Sequence, residues 1–347
     1  MLLMPSTNPS SIAKNPFFKS FSIRFEDYLG GIINDLDASV QDNARYTILN
    51  GGKRIRPLLT SICGYPDSHL DDIYKASAIV ELVHIATLIH DDILDDADFR
   101  RNRLAVHKKI GTHDAVLLGD VLFSYGLELS TEFNDSRICR IVSKATRKTC
   151  SGEISQNNSI GNHLVELDFY LQFIQDKTGE LFAAACQSGG VLSNCNEDSM
   201  DCLGKFGLSL GLNYQLFDDI IDAFGNETSA GRTLGTDFLS RKPTLPVIAL
   251  LNEATIVDKD LILELLNLDE ISDVQFRTFI SLLEKYSILD LCLSIFEEKF
   301  TCTNTLIRSL GDVVKEELLT DFMSGFITKL NVLDRLKTSN FLALHTR

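Results

Sequence analysis

Residues 73–91 read IYKASAIVELVHIATLIHD. Small and apolar residues recur in this stretch three and four positions apart, the period of a helix packed against a core: Ile73, Ala76, Ile79, Val80, Val83, Ala86 and Thr87. The same period returns around residues 121–129 and 203–214, and no proline occurs from residue 67 to residue 242. Because proline interrupts helix interiors, this window permits long helices, and no alternating strand pattern competes with them. The sequence predicts an all-α protein of ten or more helices.

Composition narrows the class of protein. The 347 residues carry a formal net charge of −15, which argues against a general nucleic-acid or anionic-membrane surface. Eight cysteines without a CxxC pair indicate reduced thiols in a reducing cytosol. No window approaches the roughly 18 apolar residues of a membrane span. We therefore expect a soluble, cytoplasmic protein with one domain over residues 21–347, preceded by a loosely ordered arm over residues 1–20.

Two acidic motifs stand out, DDILD at residues 91–95 and DDIID at residues 218–222. On a helix, aspartates four apart share one face, ~6 Å apart along the axis, and their charges repel unless cations neutralise them. A single such cluster is usually a solvated acidic face, but both copies follow apolar residues and so favour the ends of buried helices. Oxygen ligands without histidine or cysteine suit Mg²⁺, whose coordination a polyphosphate can complete.

Two basic stretches could meet that polyphosphate. GGKRIRP at residues 51–57 supplies Lys53, Arg54 and Arg56 after two glycines, which let the backbone approach an anion. Arg100 and Arg101 follow the first acidic motif and can serve different anions, although salt bridges to Asp96 and Asp98 are an alternative.

A further segment, RKPTLP at residues 241–246, follows these motifs. The kinds of motif and their order resemble those of the trans-isoprenyl diphosphate synthases, the polyprenyl synthetase family. The resemblance implies an isoprenoid-synthase bundle of helices around a central cavity, and a homodimer. It also implies the Mg²⁺-dependent head-to-tail condensation of isopentenyl diphosphate with an allylic diphosphate, with three ions per active site.

The resemblance also assigns site residues. Metal ligands are Asp91, Asp95 and Asp218, with Asp92 and Asp222 ligating or supporting and Asp219 in the same catalytic group. The residues that the resemblance implies for binding isopentenyl diphosphate are Lys53, Arg56, His84 and Arg101. Those it implies for binding the allylic diphosphate are Arg100, Lys177, Thr178, Gln215, Arg232 and Lys242. Three positions depart from the family pattern: Asn102 and Arg241 replace glycines, and Arg232 replaces a lysine.

Ala86 and Thr87, five and four residues before Asp91, occupy the positions where a bulky aromatic stops chain growth in this family. Their small size predicts a product longer than farnesyl diphosphate, either geranylgeranyl diphosphate or a longer chain. Three alternatives remain: a terpene cyclase, a regulatory subunit of a heteromeric synthase, and a purely structural helical protein. The cyclase needs no isopentenyl site, and regulatory subunits tend to lose acidic-motif residues that are intact here.

Overall fold

The computed structural model describes residues 15–64, 69–161, 165–225, 235–268, 271–310, 314 and 317–324. Most of these residues are α-helical, which confirms the predicted fold class. The helices are α1 Pro16–Ile32, α2 Ala38–Ile48, α3 Ile55–Gly64, α4 Leu70–Leu94, α5 Val106–Ile110, α6 Thr112–Thr131, α7 Arg137–Asn157, α8 Leu167–Ile174, α9 Glu180–Leu192, α10 Glu197–Phe224, α11 Thr236–Leu239, α12 Leu245–Glu253, α13 Ile256–Leu266, α14 Asp273–Lys285 and α15 Ile288–Leu310. Residues 317–324 are helical as well.

Three short elements connect the helices. A 3₁₀ turn, Ile33–Asp35, follows α1. Strands β1 Phe99–Arg100 and β2 Arg103–Leu104 pair antiparallel between α4 and α5. A π-helical turn, Gln175–Gly179, joins α8 to α9. No helix among the described residues is long and apolar enough to span a membrane.

Helix α1 begins inside the predicted N-terminal arm. The Asn15 side chain accepts a hydrogen bond from the Phe17 N–H, and Pro16 occupies the first turn, where its missing N–H costs nothing. Phe18 is buried, so the arm cannot extend to residue 20 as predicted. Residues 1–14 lie outside the described residues.

Contacts divide the chain into two compact units. Unit one comprises the described residues of Met1–Arg147, Glu180–Gly207 and Arg308–Gly325, and unit two those of Lys148–Gly179, Leu208–Ile307 and Phe326–Arg347. The single-domain organisation stays a prediction.

The core of unit one is built around α4. Fourteen of its residues are buried, as expected of a helix that is apolar on most sides, and it packs against α3, α6 and α9. At its first turn, the ring of Tyr74 stacks on Phe21 of α1 with centroids 5.6 Å apart. This packing fixes the direction in which α4 carries the first acidic motif.

The core of unit two surrounds the second half of α10. Leu216, Ile220 and Phe224 pack with apolar residues of α8, α12, α14 and α15. Phe238 of α11 stacks on Phe279 of α14 with centroids 3.7 Å apart. The apolar face of α10 thus holds the helix in the core, and this fixes the position of the second acidic motif on the same helix.

Candidate active site

The first acidic motif lies at the carboxyl end of α4, as the sequence predicts. Asp91 and Asp92 are in the last turn, and Asp95 is the C-cap. A helix C-terminus carries partial negative charge, so carboxylates there are unfavourable unless cations offset them. Asp95 is exposed and Asp91 half-buried, so both can reach an external cation.

Asp92 already has an internal cation. It is buried, and the Nε of Arg100 lies 2.8 and 2.6 Å from its two carboxylate oxygens, with Nη2 2.6 Å from Oδ1. The alternative partners predicted for the arginine, Asp96 and Asp98, instead lie 2.6 and 3.3 Å from the Lys108 ammonium. Asp92 therefore supports the motif by holding Arg100.

The hairpin β1–β2 sets the direction of both arginines. Its two-residue turn is Arg101-Asn102, with φ values of 51° and 61°, and a type I′ turn requires positive φ at both positions. Asparagine tolerates this conformation nearly as well as the family's glycine, which accounts for Asn102.

The turn places Arg101 on the glycines of GGKRIRP. Its Nη1 donates to the Gly51 carbonyl, and a Cβ on Gly52 would lie 2.8 Å from Nη1. Gly52 has a φ of +147°, so both its backbone and the arginine's position require glycine.

The three cations of GGKRIRP have different roles. Lys53 is exposed. Arg56 is half-buried, with its guanidinium carbon 4.5 Å from the centroid of the Phe182 ring. Arg54, which carries no predicted substrate contact, is buried and pairs with Glu81 at 2.7 Å and Glu26 at 2.7 Å.

His84 lies near several arginines, and its contact with isopentenyl diphosphate stays a prediction. Burial, followed by the charges of Arg56, Arg101, Arg100 and Arg54, lowers the pKa of His84 well below its ordinary value. His84 is therefore neutral at pH 7 and can donate one hydrogen bond without adding charge.

The predicted chain-length positions lie one turn before the motif on α4. Ala86 is fully buried, and Thr87 is half-buried with its hydroxyl bonded to the His84 carbonyl at 2.7 Å. Neither position carries the bulky aromatic side chain that would be expected to stop chain growth early.

In unit two, the second acidic motif occupies the last two turns of α10. Asp218 is half-buried. Asp219 is buried; it accepts from the Tyr170 hydroxyl at 2.6 Å and the Gln215 amide at 2.8 Å. Burial and then the nearby Asp237 carboxylate raise the pKa of Asp219 to about 7, although these two donors lower it. Asp219 is held inside the protein rather than presented to a ligand.

Asp222 is also bonded internally. Its carboxylate accepts from the Thr236 hydroxyl at 3.2 Å and from the Asp237 N–H at 3.0 Å, which ties α10 to the start of α11. This contact favours the supporting role that the sequence left open for Asp222, and Asp218 stays the predicted ligand of the second motif.

Lys177 and Thr178 lie in the π-turn, a feature frequent at functional sites. The Lys177 ammonium contacts Glu153 at 2.5 Å and Gln156 at 2.7 Å on α7. The Thr178 hydroxyl donates to Gln215 at 2.9 Å. The predicted allylic residues Thr178 and Gln215 are thus in direct contact.

The RKPTLP segment follows α11. Lys242 is half-buried, and its N–H donates to the Asp237 carbonyl at 2.9 Å. Arg241 has a φ of 55°, so the family's glycine marks a left-handed position, and here the arginine side chain bonds to the Leu268 carbonyl. Arg232 lies outside the described residues.

Each unit therefore gathers its own share of the predicted residues. Unit one holds Lys53, Arg56, His84, Asp91, Asp92, Asp95, Arg100 and Arg101, and unit two holds Lys177, Thr178, Gln215, Asp218, Asp219, Asp222 and Lys242. Their union in one site stays a prediction.

Sequence reasoning missed three polar residues of unit two: Tyr170, Glu153 and Gln156. The one available signal was Gly152-Glu153-x-x-Gln156, a glycine followed by two polar residues of one helix face.

Comparison with known proteins identifies the family of this chain. A family model for polyprenyl synthetase matches residues 37–282. The chain is 32% identical over 255 residues to the short chain isoprenyl diphosphate synthase of Methanocaldococcus jannaschii, covering 72% of this chain and 78% of that protein. It is 32% identical over 263 residues to heptaprenyl diphosphate synthase component 2 of Bacillus subtilis, covering 74% of each.

Solved structures show the same fold. A polyprenyl synthase from Caulobacter crescentus, crystallised with calcium and isoprenyl diphosphate, matches with a TM-score of 0.81 and 27% identity, over 96% of this chain and 99% of that one. The geranylgeranyl pyrophosphate synthetase from Pyrococcus horikoshii matches with a TM-score of 0.82 and 26% identity, over 93% and 98%.

These matches define the class of protein as a prenyltransferase, which excludes a purely structural role. Because the family model covers well over half of its length, the chain belongs to the polyprenyl synthetase family.

Proposed function

We propose that this enzyme condenses isopentenyl diphosphate head-to-tail with an allylic diphosphate, using Mg²⁺, and releases an all-trans prenyl diphosphate. The observation that carries the proposal is the position of Arg101 against Gly51 and Gly52, beside the arginines that surround His84. This cationic group adjoins the first acidic motif through the hairpin. A terpene cyclase does not require such a group.

The donor set suits Mg²⁺. Asp91, Asp95 and Asp218 offer only carboxylate oxygens, and Asp91 and Asp95 lie at a helix C-terminus, where negative charge is unfavourable without a cation. Among the described residues, no group of three or more histidines, cysteines or carboxylates could by itself hold a metal ion. Mg²⁺ typically takes one or two carboxylates and completes its shell with water and phosphate oxygens, so these residues fit it. Three ions per site remain part of the proposal.

The residues of unit one hold and orient isopentenyl diphosphate. Lys53, Arg56 and Arg101 bind its diphosphate, and neutral His84 donates a hydrogen bond to it. Lys177 and Lys242, with Arg100, contact the allylic diphosphate as its C–O bond breaks and the electron pair leaves with diphosphate. Bound Mg²⁺ supplies further charge neutralisation to that leaving group.

The double bond of isopentenyl diphosphate then attacks the allylic cation, and a proton leaves to the departing diphosphate. No protein nucleophile takes part. The residues contribute by positioning the two substrates and by stabilising the charge that develops.

The product is proposed to be longer than farnesyl diphosphate, because Ala86 and Thr87 leave no bulky floor one turn below Asp91. A homodimer and a cytoplasmic location complete the proposal.

The first experiment incubates the purified chain with Mg²⁺, labelled isopentenyl diphosphate and, in turn, dimethylallyl, geranyl and farnesyl diphosphates. A prenyl ladder ending at one long product supports the proposal and gives the length of the product. Turnover of the allylic substrates without isopentenyl diphosphate would instead favour a cyclase. No incorporation with any primer would favour a partner-dependent subunit.

Variants of the hairpin sharpen the test. Arg101→Ala should raise the KM for isopentenyl diphosphate roughly ten- to a hundredfold, because it removes charge-assisted hydrogen bonds. Arg103→Ala removes a cation from the same hairpin, next to Tyr46 rather than the glycines, and should change that KM little. Equal effects of the two variants would contradict the assignment of Arg101.

A further inference from the structure

Two side chains of α7 hold the ammonium of Lys177. Its Nζ lies 2.5 Å from Glu153 Oε2 and 2.7 Å from Gln156 Oε1. The Glu153 and Lys177 side chains are only 13% and 20% exposed, and Gln156 is buried. Residues three apart lie on one helix face, so both acceptors approach the ammonium from the same side.

The backbone is shaped for this contact. A Cβ on Gly152 would lie 2.4 Å from the backbone nitrogen of Lys177 and 2.8 Å from its Cα. Only glycine therefore lets α7 approach the π-turn closely enough for Glu153 and Gln156 to reach the ammonium.

The next residue of the π-turn is fixed from another helix. Thr178 donates to Gln215 at 2.9 Å, Gln215 donates to Asp219 at 2.8 Å, and Tyr170 donates to the other oxygen of Asp219 at 2.6 Å. The turn is thus held at two adjacent residues, from α7 and from α10. A lysine side chain loses rotamer entropy when it becomes ordered, and a lysine that is ordered before binding does not lose it again on binding.

We propose that Glu153 and Gln156 are positioning residues that hold the Lys177 ammonium where it meets the diphosphate of the allylic substrate. This inference rests on the function proposed above, because it takes Lys177 as a contact of that diphosphate. Neither residue touches the substrate; both act through Lys177.

Kinetics of Glu153 variants test the role. Glu153→Ala should lower kcat/KM for the allylic substrate on the order of tenfold, because it removes the largely buried ion pair with Lys177, while the KM for isopentenyl diphosphate stays unchanged. Glu153→Gln keeps an oxygen acceptor and should restore most of the activity. The matched control is Asp176→Asn, which removes a neighbouring carboxylate that pairs with Lys148 at 3.3 Å, and should match the wild type.

A double-mutant cycle separates positioning from general structure. If Glu153 acts through Lys177, adding Glu153→Ala to Lys177→Ala costs nothing further in kcat/KM. An additive loss would show an independent structural role and overturn the inference.

Binding supplies a readout that does not depend on turnover. Calorimetric titration with inorganic diphosphate at fixed Mg²⁺ should show about tenfold weaker binding for Glu153→Ala and for Gln156→Leu, and wild-type binding for Asp176→Asn. If the wild type elongates prenyl chains but Glu153→Ala behaves like Asp176→Asn, the positioning inference fails alone. If the wild type makes no prenyl product but Glu153→Ala weakens diphosphate binding and Asp176→Asn does not, the proposed function fails alone.

Discussion

Replacing Arg54 with methionine should strongly destabilise the protein. The guanidinium joins α1, α2 and α4: Nε and Nη2 donate to Glu26 at 2.7 and 3.1 Å, Nη1 donates to Glu81 at 2.7 Å, and Nη2 donates to the Ile48 carbonyl at 2.6 Å. Burial lowers the pKa of Arg54, but Glu81 and Glu26 outweigh it and raise the pKa above its ordinary value. The arginine is therefore charged at every accessible pH.

The expected magnitude follows from the exposure of the two partners. The Glu81 side chain is 3% exposed, so removing Arg54 leaves a buried carboxylate without its cation, which costs about 3–5 kcal/mol. The Glu26 side chain is 40% exposed, and water can replace the arginine there, so its share is about 0–1 kcal/mol. We expect a loss of about 4 kcal/mol in the free energy of unfolding.

Urea unfolding followed by circular dichroism measures this loss, and the urea dependence of unfolding should stay unchanged. Glu26→Gln is the control and should cost at most about 1 kcal/mol. Arg54→Met combined with Glu81→Leu should recover most of the stability, since no buried charge remains. A loss below about 1 kcal/mol for Arg54→Met alone would refute the reasoning, because Glu81 would then be neutral or solvated without the arginine.

Three further outcomes can be measured. Asn102→Val should lower the free energy of unfolding by about 1–2 kcal/mol, because a branched residue resists the positive φ of the turn, whereas Asn102→Gly should be nearly neutral in the same urea titration. Tyr170→Phe should cost about 1–3 kcal/mol in urea, because it deprives buried Asp219 of a donor; an unchanged midpoint would contradict that bond. His84 binds a proton in the unfolded chain below its ordinary pKa of 6.5 but not in the folded chain, so stability should fall as the pH drops below that value. His84→Gln should flatten that slope by up to about 1.4 kcal/mol per pH unit, and an equally steep slope in the variant would assign it to another group.

The position of the acidic motifs could be predicted because it depends on local periodicity. The apolar residues that precede Asp91 and Asp218 define the buried faces of α4 and α10, and the motifs follow at their ends. Helix geometry then fixes which aspartates share a face.

The roles of individual charges could not be predicted in the same way. GGKRIRP offers three cations in four residues, and their spacing predicts neither the positive φ of Arg54 nor its pairing with Glu26 and Glu81. The pairing of Arg100 with Asp92 depends on a two-residue turn, and the sequence Arg101-Asn102 does not predict the type of that turn. Glu153 was missed because the sequence of α7 is typical of a solvent-exposed helix, and only the structure shows that the π-turn packs against it.

Both acidic motifs divide their charges alike. The second aspartate of each, Asp92 or Asp219, is buried and bonded within its own unit, by Arg100 in one case and by Tyr170 and Gln215 in the other. The first aspartate, Asp91 or Asp218, is half-buried and keeps part of its surface exposed to solvent. The bonds of the second aspartate can thus orient each motif, while the half-buried first aspartate keeps surface that an external cation can reach. The same division, a buried and bonded aspartate beside a more accessible one, recurs at both motifs, and it suits the binding of external cations, as proposed above, better than a purely structural use of these charges.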